Sequence, residues 1–387
     1  MLFTVEALRA RHGDSLIIHF GDTEKPRLIV VDGGPSGVYK DALRPRLDQL
    51  ADKLAGGGPL PIEILMVSHI DDDHLRGVLD LSAALLESQA SKGLPFDVRT
   101  LWHNSFDDLI GNGAEELAAG VADAPARVAS GDGPRVAWSG DARAVVASVA
   151  QGRWLRDNAR PLGWATNRPF DRFVMAPSSG GATTTLGPLK LTVVCPLRAQ
   201  LEALEKDWEK KLRELQRAKR AKEAAAVAEY LDRSVYNLSS IVCLAELEGK
   251  RVLLTGDARD HILEGLAVGG LLAGGGIELD VLKLPHHGSD RNVDVQFFRT
   301  VRARHYVASG DGEHHNPEVE TFRMISTARA DDDYTVHLTY RDFKEGVGEE
   351  LEEFFAQERA SGRRYEVAYR APDDLSLMID LLDEVRY

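Results

Sequence analysis

Three short apolar runs open the chain, FTVEAL, SLIIHF and RLIVVD, with His12-Gly13-Asp14 between the first two and Gly33-Gly34-Pro35 after the last. Runs of this length bounded by glycine, proline and aspartate read as strands joined by tight turns, so the pattern predicts a β-meander ending at Asp32. Helical spacing takes over in KDALRPRLDQLADKLA, where Leu43, Leu47, Leu50 and Leu54 share a face and Pro45 is admitted because it falls in the first turn. After Gly56-Gly57-Gly58-Pro59, the run IEILMVS is short enough for a buried strand. A helix is expected from near His74, because Val78, Leu79, Leu81 and Leu85 recur at helical spacing.

Residues 110–190 are rich in glycine, alanine and aspartate with weak periodicity, and predict little beyond a helix near 142–157. KLTVVCP restores strand character. The texture then changes over 198–231, which are helix-forming throughout, with Leu201, Leu204, Trp208, Leu212 and Leu215 on a 3–4 spacing. This is a long inserted helix, suited to a coiled-coil contact with a protein partner or a second copy. Strands return in NLSSIVCLAEL and RVLLTGD, then in DVLKLP leading into HHGS, and in HYVASG before GEHHNPEVETF. From about 320, strand-like YTVHLTY and LSLMIDLL flank an acidic helix, GEELEEFFAQERA. The residues able to do chemistry run from Asp32 to His315, so one site draws on most of the chain. That favours one catalytic domain over 1–325, with 326–387 as an α/β extension packed on it, over the two or three domains that 387 residues allow.

Composition narrows the class. With 43% hydrophobic and 28% charged residues the chain can bury a large core and is neither disordered nor fibrous. No apolar run reaches the roughly 18 residues of a membrane span, and the start lacks a basic segment followed by a long apolar one, so a cytoplasmic protein with no membrane contact is expected. Cys195 and Cys243 each sit in a strand-like run and read as buried free thiols, since thiolate metal sites show closely spaced pairs. A net charge of -14 repels polyanions at long range and counts against a protein that coats nucleic acid. It leaves room for a nuclease, because metal ions and local patches override the mean field. One such patch is 206–222, with eight Lys or Arg against three Asp or Glu; a solvated helix face with i,i+4 pairs explains it equally well.

The candidate chemistry starts at His69-Ile-Asp-Asp-Asp-His74, directly after a buried strand. His69, Asp71, Asp73 and His74 offer imidazole nitrogens and carboxylate oxygens that suit first-row divalent metals, and alternating ligands in one loop can serve two ions. Helix capping alone also places aspartate at such a position. Two further clusters tip the balance. Asp257 ends the strand RVLLTGD beside Gly256, where a bridging carboxylate could be presented, and His286 and His287 follow another apolar strand, with Gly288 allowing close backbone approach.

SHIDDDHLRG resembles the signature loop of the metallo-β-lactamase superfamily, His-x-His-x-Asp-His, with Asp71 in place of the second His. The series SHIDDDH, NLSSIVCLAELEGKRVLLTGDA, DVLKLPHHGS and HHNPEVETF resembles more specifically the metallo-β-lactamase-like domain of the competence DNA-uptake proteins and their soluble relatives. The likeness spans about 1–325, with gaps at 105–190 and 198–231. It implies an αββα sandwich with two divalent ions at one end of the paired sheets. By that likeness His69, Asp71 and a late His hold one ion, Asp73 and His74 the second, and Asp257 bridges them. Asp32, with Ser68 beside the loop, would support the ligands from behind. His103, in LWHNS, matches a middle His ligand by position only, an aromatic-flanked core His being the alternative. His314 or His315 matches a late His that touches substrate, and Asp73 could also take up a proton. Carboxylate in place of imidazole at Asp71 shifts preference from zinc toward manganese or magnesium. The implied activity is hydrolysis, on phosphodiesters in nucleic acid or nucleotides, or on a small ester, lactone or lactam. A metal-binding subunit without catalysis is the third reading.

Overall fold

Side-chain alternation assigns the faces of two large sheets. The computed structural model describes residues 1–91, 93–104, 151–178, 180–202 and 239–387. The meander forms as β1 (Leu2–Leu8), β2 (Leu16–Gly21) and β3 (Pro26–Val31), antiparallel, with Val5 opposite Ile18 and Ile18 opposite Ile29. The chain then crosses over to β5 (Ile64–Val67) and β7 (Thr100–His103), which continue parallel to β3. The short β8 (Ala165–Thr166) and the late β17 (Ser376–Asp380) complete a seven-stranded sheet of order β17-β1-β2-β3-β5-β7-β8. A separate pair joins β4 (Leu60–Ile62) and β6 (Phe96–Val98).

The second sheet contains β9 (Ala182–Leu186), β10 (Leu189–Cys195), β11 (Val242–Leu247), β12 (Lys250–Leu254), β13 (Ile277–Lys283), β14 (Val301–Ala308), β15 (Tyr334–Leu338) and β16 (Tyr365–Tyr369). They lie side by side in chain order, antiparallel from β9 to β12 and parallel from β12 to β16. Residues after 325 therefore supply β15 and β16 to the second sheet and β17 to the first.

The layers follow from which faces are apolar. Phe3, Val5, Ile18, Phe20, Met66 and Trp102 from the first sheet pack against Leu191, Val193, Cys243, Val252, Val281 and Val307 from the second, one buried cluster between the sheets. The outer face of the first sheet, through Ile17, Val30 and Leu65, is covered by α1 (Arg44–Leu54) and α2 (Asp72–Ser91), whose Leu47, Leu50, Val78, Leu81 and Leu85 are buried. Leu253, Leu282, Tyr306 and Val336 on the other outer face are covered by α3 (His261–Val268), α4 (Val295–Thr300), α5 (Val319–Ala328) and α6 (Val347–Ala360). The result is the expected αββα sandwich. Each fully buried Leu, Val or Phe contributes about 1.5–3 kcal/mol, so the strands are stiff supports for whatever their ends carry.

Pro45 sits in the first turn of α1, as expected, after a π-helical turn at Tyr39–Leu43. Cys195 and Cys243 are free and buried. Of the helix expected near 142–157, residues 151–159 are helical and 142–150 lie outside the described residues. Of 198–231, residues 198–202 are helical and 203–231 lie outside the described residues. Among the described residues no helix is long and apolar enough to cross a membrane.

Candidate metal centre

Parallel strands deliver their following loops to one edge, and in open α/β sheets that edge is where ligands bind. Here β3 leads to Asp32, β5 to Ser68 and His69, β12 to Asp257, β13 to His286 and His287, and β14 to Ser309. Backbone bonds stitch these loops together. Gly33 N–H donates to His74 O at 2.8 Å, Asp14 N–H to Asp73 O at 3.2 Å, Ile241 N–H to Ser68 O at 2.8 Å and His286 N–H to Gly256 O at 3.1 Å. Asp32, His286 and His287 hold left-handed backbone, φ 59, 49 and 55, which non-glycine residues adopt mainly where surrounding structure imposes it. An added Cβ at Gly13 would stand 2.0 Å from Asp73 O, so that glycine lets the β1–β2 turn lie against the acidic loop.

Asp257 stands at the middle. Its Oδ1 lies 3.1 Å from His74 Nε2 and 3.5 Å from His287 Nε2, while its Oδ2 lies 3.4 Å from His286 Nε2 and 3.7 Å from His69 Nε2. Asp73 joins the first pair, 3.2 Å from His287 Nε2, and Asp71 joins the second, 3.5 Å from His69 Nε2. Donor atoms that share one ion at roughly 2.0–2.2 Å stand about 3.0–3.5 Å apart in octahedral or tetrahedral arrays, and the His74–Asp257–His287 group matches that spacing. Among the described residues the tight ligand sets here are Asp14, His74, Asp257 and His287, and His69, Asp73 and His74; Asp71 and His286 lie beside them. Residues more than two hundred positions apart in the chain thus converge.

Every one of these four imidazoles spends Nδ1 on the protein. His74 Nδ1 is 2.8 Å from Asp32 Oδ2, His287 Nδ1 is 3.1 Å from Asp14 Oδ1, His286 Nδ1 is 3.0 Å from Asn292 Oδ1 and His69 Nδ1 is 3.2 Å from Ser68 Oγ. Asp32 also accepts from Ser68 N–H and Ser68 Oγ–H, both at 2.7 Å. An imidazole whose Nδ1–H is held this way presents a lone pair at Nε2, the form a metal ligand needs. His69 Nε2 and Asp257 Oδ1 are buried with no hydrogen bond among the described residues, an arrangement that a cation would satisfy.

Electrostatics say the same. Burial opposes ionisation of Asp257, but His286, His287, His74 and His69 outweigh it and hold its carboxyl well below the usual range. Asp73 is also held low against burial, by His74 and His287. In the metal-free centre burial disfavours charge on His74 and His287, yet Asp257 with neighbouring carboxylates raises both, His287 to about 9. Protons there do part of the work of cations. The cluster, mixed imidazole and carboxylate, is suited to divalent metal.

Other candidate residues fall elsewhere. His103 ends β7 with Nε2 3.3 Å from Gly152 O, and burial depresses its pKa to about 4. It belongs to none of the tight ligand groups among the described residues, and the contact its ring makes is with the Gly152 carbonyl and not with Asp257. His314 groups with His12 and Glu313, whose carboxylate is 3.3 Å from His12 Nδ1. His315 is exposed, 3.6 Å from Glu345. The late pair does not compete for one position: His286 and His287 face different oxygens of Asp257.

Two residues that the sequence reading passed over are central. Asp14, read only as part of a turn, touches His287 Nδ1, accepts from Ser309 Oγ–H and lies 2.6 Å from Lys283 Nζ. Burial opposes its ionisation, and Lys283 and His287 overcome that and hold it low. Lys283 is itself 1% exposed, within the apolar run DVLKLP. A lysine inside a strand otherwise fit for the core was the available signal, because lysine is almost never fully buried unless paired.

No protein-family model matches the chain, and no curated protein matches it. Among solved structures it is similar to Zn(2+)-bound PqqB from Methylobacterium extorquens, at 13% identity and a TM-score of 0.36, over 95% of this chain and 87% of that one.

Proposed function

We propose that the chain is a metal-dependent hydrolase of phosphodiesters, working at a centre in which His69, Asp71 and His286 would hold one divalent ion and Asp73, His74 and His287 a second, with Asp257 between the two groups. The observation that carries this reading is the division of the four imidazoles, two to each oxygen of Asp257. Divalent ions bound there would supply Lewis-acid polarisation and charge neutralisation for hydrolysis at neutral pH.

The chain's own residues set the direction of approach. Asp71, Asp73 and His286 have side chains 26%, 24% and 32% exposed, whereas those of His69, His74, His287 and Asp257 are at most 3% exposed. Substrate therefore meets the centre from the Asp71–Asp73 side. A groove of about 760 Å³ reaches the acidic loop through Asp72, between the candidate ligands Asp71 and Asp73, and is lined also by Arg9, Arg11, Lys344, Asp311 and Glu313; none of the candidate ligands lines it. It is open and charged rather than closed and apolar, which favours an extended polar substrate over a small apolar ester. Its cations are partly answered within the protein, Arg11 by Asp41 at 2.7 Å and Lys344 by Asp311 and Glu313 at 2.8 and 2.7 Å, so the support for an anion comes from placement more than from net charge.

The preference for phosphodiesters also rests on the hard oxygen character that Asp71 adds and on the resemblance of the motif series to the competence DNA-uptake domain. Manganese or zinc with the purified protein should release product from single-stranded DNA, RNA or a cyclic dinucleotide, and the Asp257→Asn variant should not. Absence of turnover on all three overturns the phosphodiester reading, and hydrolysis of a lactone or ester in its place would move the assignment to small molecules.

A further inference from the structure

A lysine ammonium buried at the end of a central strand needs a reason. Desolvating it costs several kcal/mol unless an opposite charge compensates, and Lys283 has found one partner that does so, Asp14 Oδ2 at 2.6 Å, with Leu284 O accepting a second bond at 3.0 Å. Asp14 is equally buried, at 1% exposure. Its other oxygen is turned toward His287 Nδ1 at 3.1 Å and Ser309 Oγ, and Oδ2 also stands 3.9 Å from His74 Nδ1. The two segments that bring this pair together are remote, the β1–β2 turn and the end of β13. Gly13, which could not carry a side chain against Asp73 O, fixes the turn in place.

We propose that Lys283 and Asp14 form a positioning relay for the metal centre, in which the lysine keeps Asp14 in place as a charged acceptor, and Asp14 in turn locks the His287 ring with Nε2 toward Asp257 and Asp73. Asp14 stands close enough to be grouped with His74, Asp257 and His287, but it meets His287 at Nδ1, the nitrogen away from Asp257, so in this reading neither residue would be a ligand. Lys283 acts through Asp14, and Asp14 acts through His287. Asp32 does for His74 from the β3 loop what Asp14 does for His287 from the β1–β2 turn, so the two imidazoles on the Oδ1 side of Asp257 are each oriented by a buried carboxylate. The difference is the counter-charge. Asp32 is anchored by the Ser68 backbone and hydroxyl, Asp14 by a lysine and the Ser309 hydroxyl. A carboxylate serving a ligand histidine supports it whichever divalent ion binds, so the relay does not depend on metal identity.

The inference rests on the metal-centre reading, and its test separates the two. Full-length protein is stripped with chelator and titrated with Zn²⁺ or Mn²⁺ against a chelating dye, for wild type, Lys283→Met, Asp14→Asn and the double variant. Lys283→Met should bind one of the two ions about tenfold more weakly or worse, within the range seen when such supporting partners are lost, with far-UV circular dichroism unchanged. Because the lysine works through the aspartate, the double variant should bind no more weakly than Asp14→Asn alone. That double variant leaves no buried unpaired charge, so it remains informative if Lys283→Met fails to fold. Wild-type affinity in Lys283→Met, tighter binding in it, wild-type affinity in the double variant, or losses that simply add would each overturn the relay. Failure of the wild type to bind any metal would instead overturn the reading it rests on.

Discussion

Asp32→Asn isolates the part of the centre that orients His74. Asparagine has nearly the shape of aspartate and tolerates the left-handed backbone, φ 59, that Asp32 adopts, so the substitution adds no backbone cost. What changes is the count of acceptors. Asp32 accepts three bonds, from Ser68 N–H, Ser68 Oγ–H and His74 Nδ1–H, at 2.7, 2.7 and 2.8 Å. The asparagine amide has one oxygen, and its NH₂ must face either the Ser68 backbone N–H or the His74 ring. In the first orientation a buried backbone donor loses its acceptor. In the second, the serine hydroxyl can rotate to accept, but His74 must give up its Nδ1 proton, and the neutral ring then carries its proton at Nε2, where the lone pair should be. One orphaned buried donor costs about 1–3 kcal/mol, and loss of charge weakens the bonds that survive, so the metal-free protein should lose about 3 kcal/mol in denaturant unfolding. Metal affinity should fall by about 10- to 100-fold. The decisive comparison is between the two assays: a stability loss with metal affinity within twofold of wild type would mean that Asp32 supports the fold and not the ligand, and the account of His74 would be wrong.

Gly77→Ala should be far more damaging than its place in α2 suggests. Alanine gains at most about 1 kcal/mol in helix propensity, but its Cβ would stand 1.9 Å from Gly33 O and 2.6 Å from Gly33 C, so a net loss of about 2 kcal/mol or more is expected in thermal or denaturant unfolding. His261 gives the fold an acid sensitivity. Burial depresses its pKa to about 4, and Nδ1 accepts the Arg259 N–H at 3.3 Å as a neutral ring must. The unfolded chain, near 6.5, binds the proton first, so stability falls as pH drops from 6.5 toward 4 and levels off below. At about 1.4 kcal/mol per pH unit this sums to about 3 kcal/mol, which His261→Gln should remove from the pH–stability curve. Burial pushes both thiols up, Cys243 to about 12, so a thiol reagent at pH 8 should label neither cysteine in the native protein and both in denaturant.

The strands were legible in the chain because their runs are short, apolar and bounded by turn residues, and the ends of IEILMVS, RVLLTGD and DVLKLP announced His69, Asp257 and the His286–His287 pair. The pairing of those residues in space was not legible. It depends on parallel strands placing their carboxyl ends on one edge, and on φ near 50 turning His286 and His287 to opposite oxygens of one aspartate. Asp14 was not legible because a His-Gly-Asp turn is sufficient reason for aspartate, and the partners that hold its charge, Lys283 and His287, come more than 260 positions later in the chain. His103 shows the opposite failure. It closes its strand in register with Val67, two positions short of the place His69 takes beyond β5, and its ring is taken up by the Gly152 carbonyl. A strand end brings a residue to the edge, and only the neighbouring loops decide where the side chain is spent.

Anomalous diffraction from crystals grown with manganese or zinc tests the centre most directly. Two peaks are predicted, one on each oxygen of Asp257, the first within coordination distance of His74, His287 and Asp73 and the second of His69, His286 and Asp71. A single peak bound away from Asp257, or no peak in crystals whose solution holds excess metal, would contradict the account.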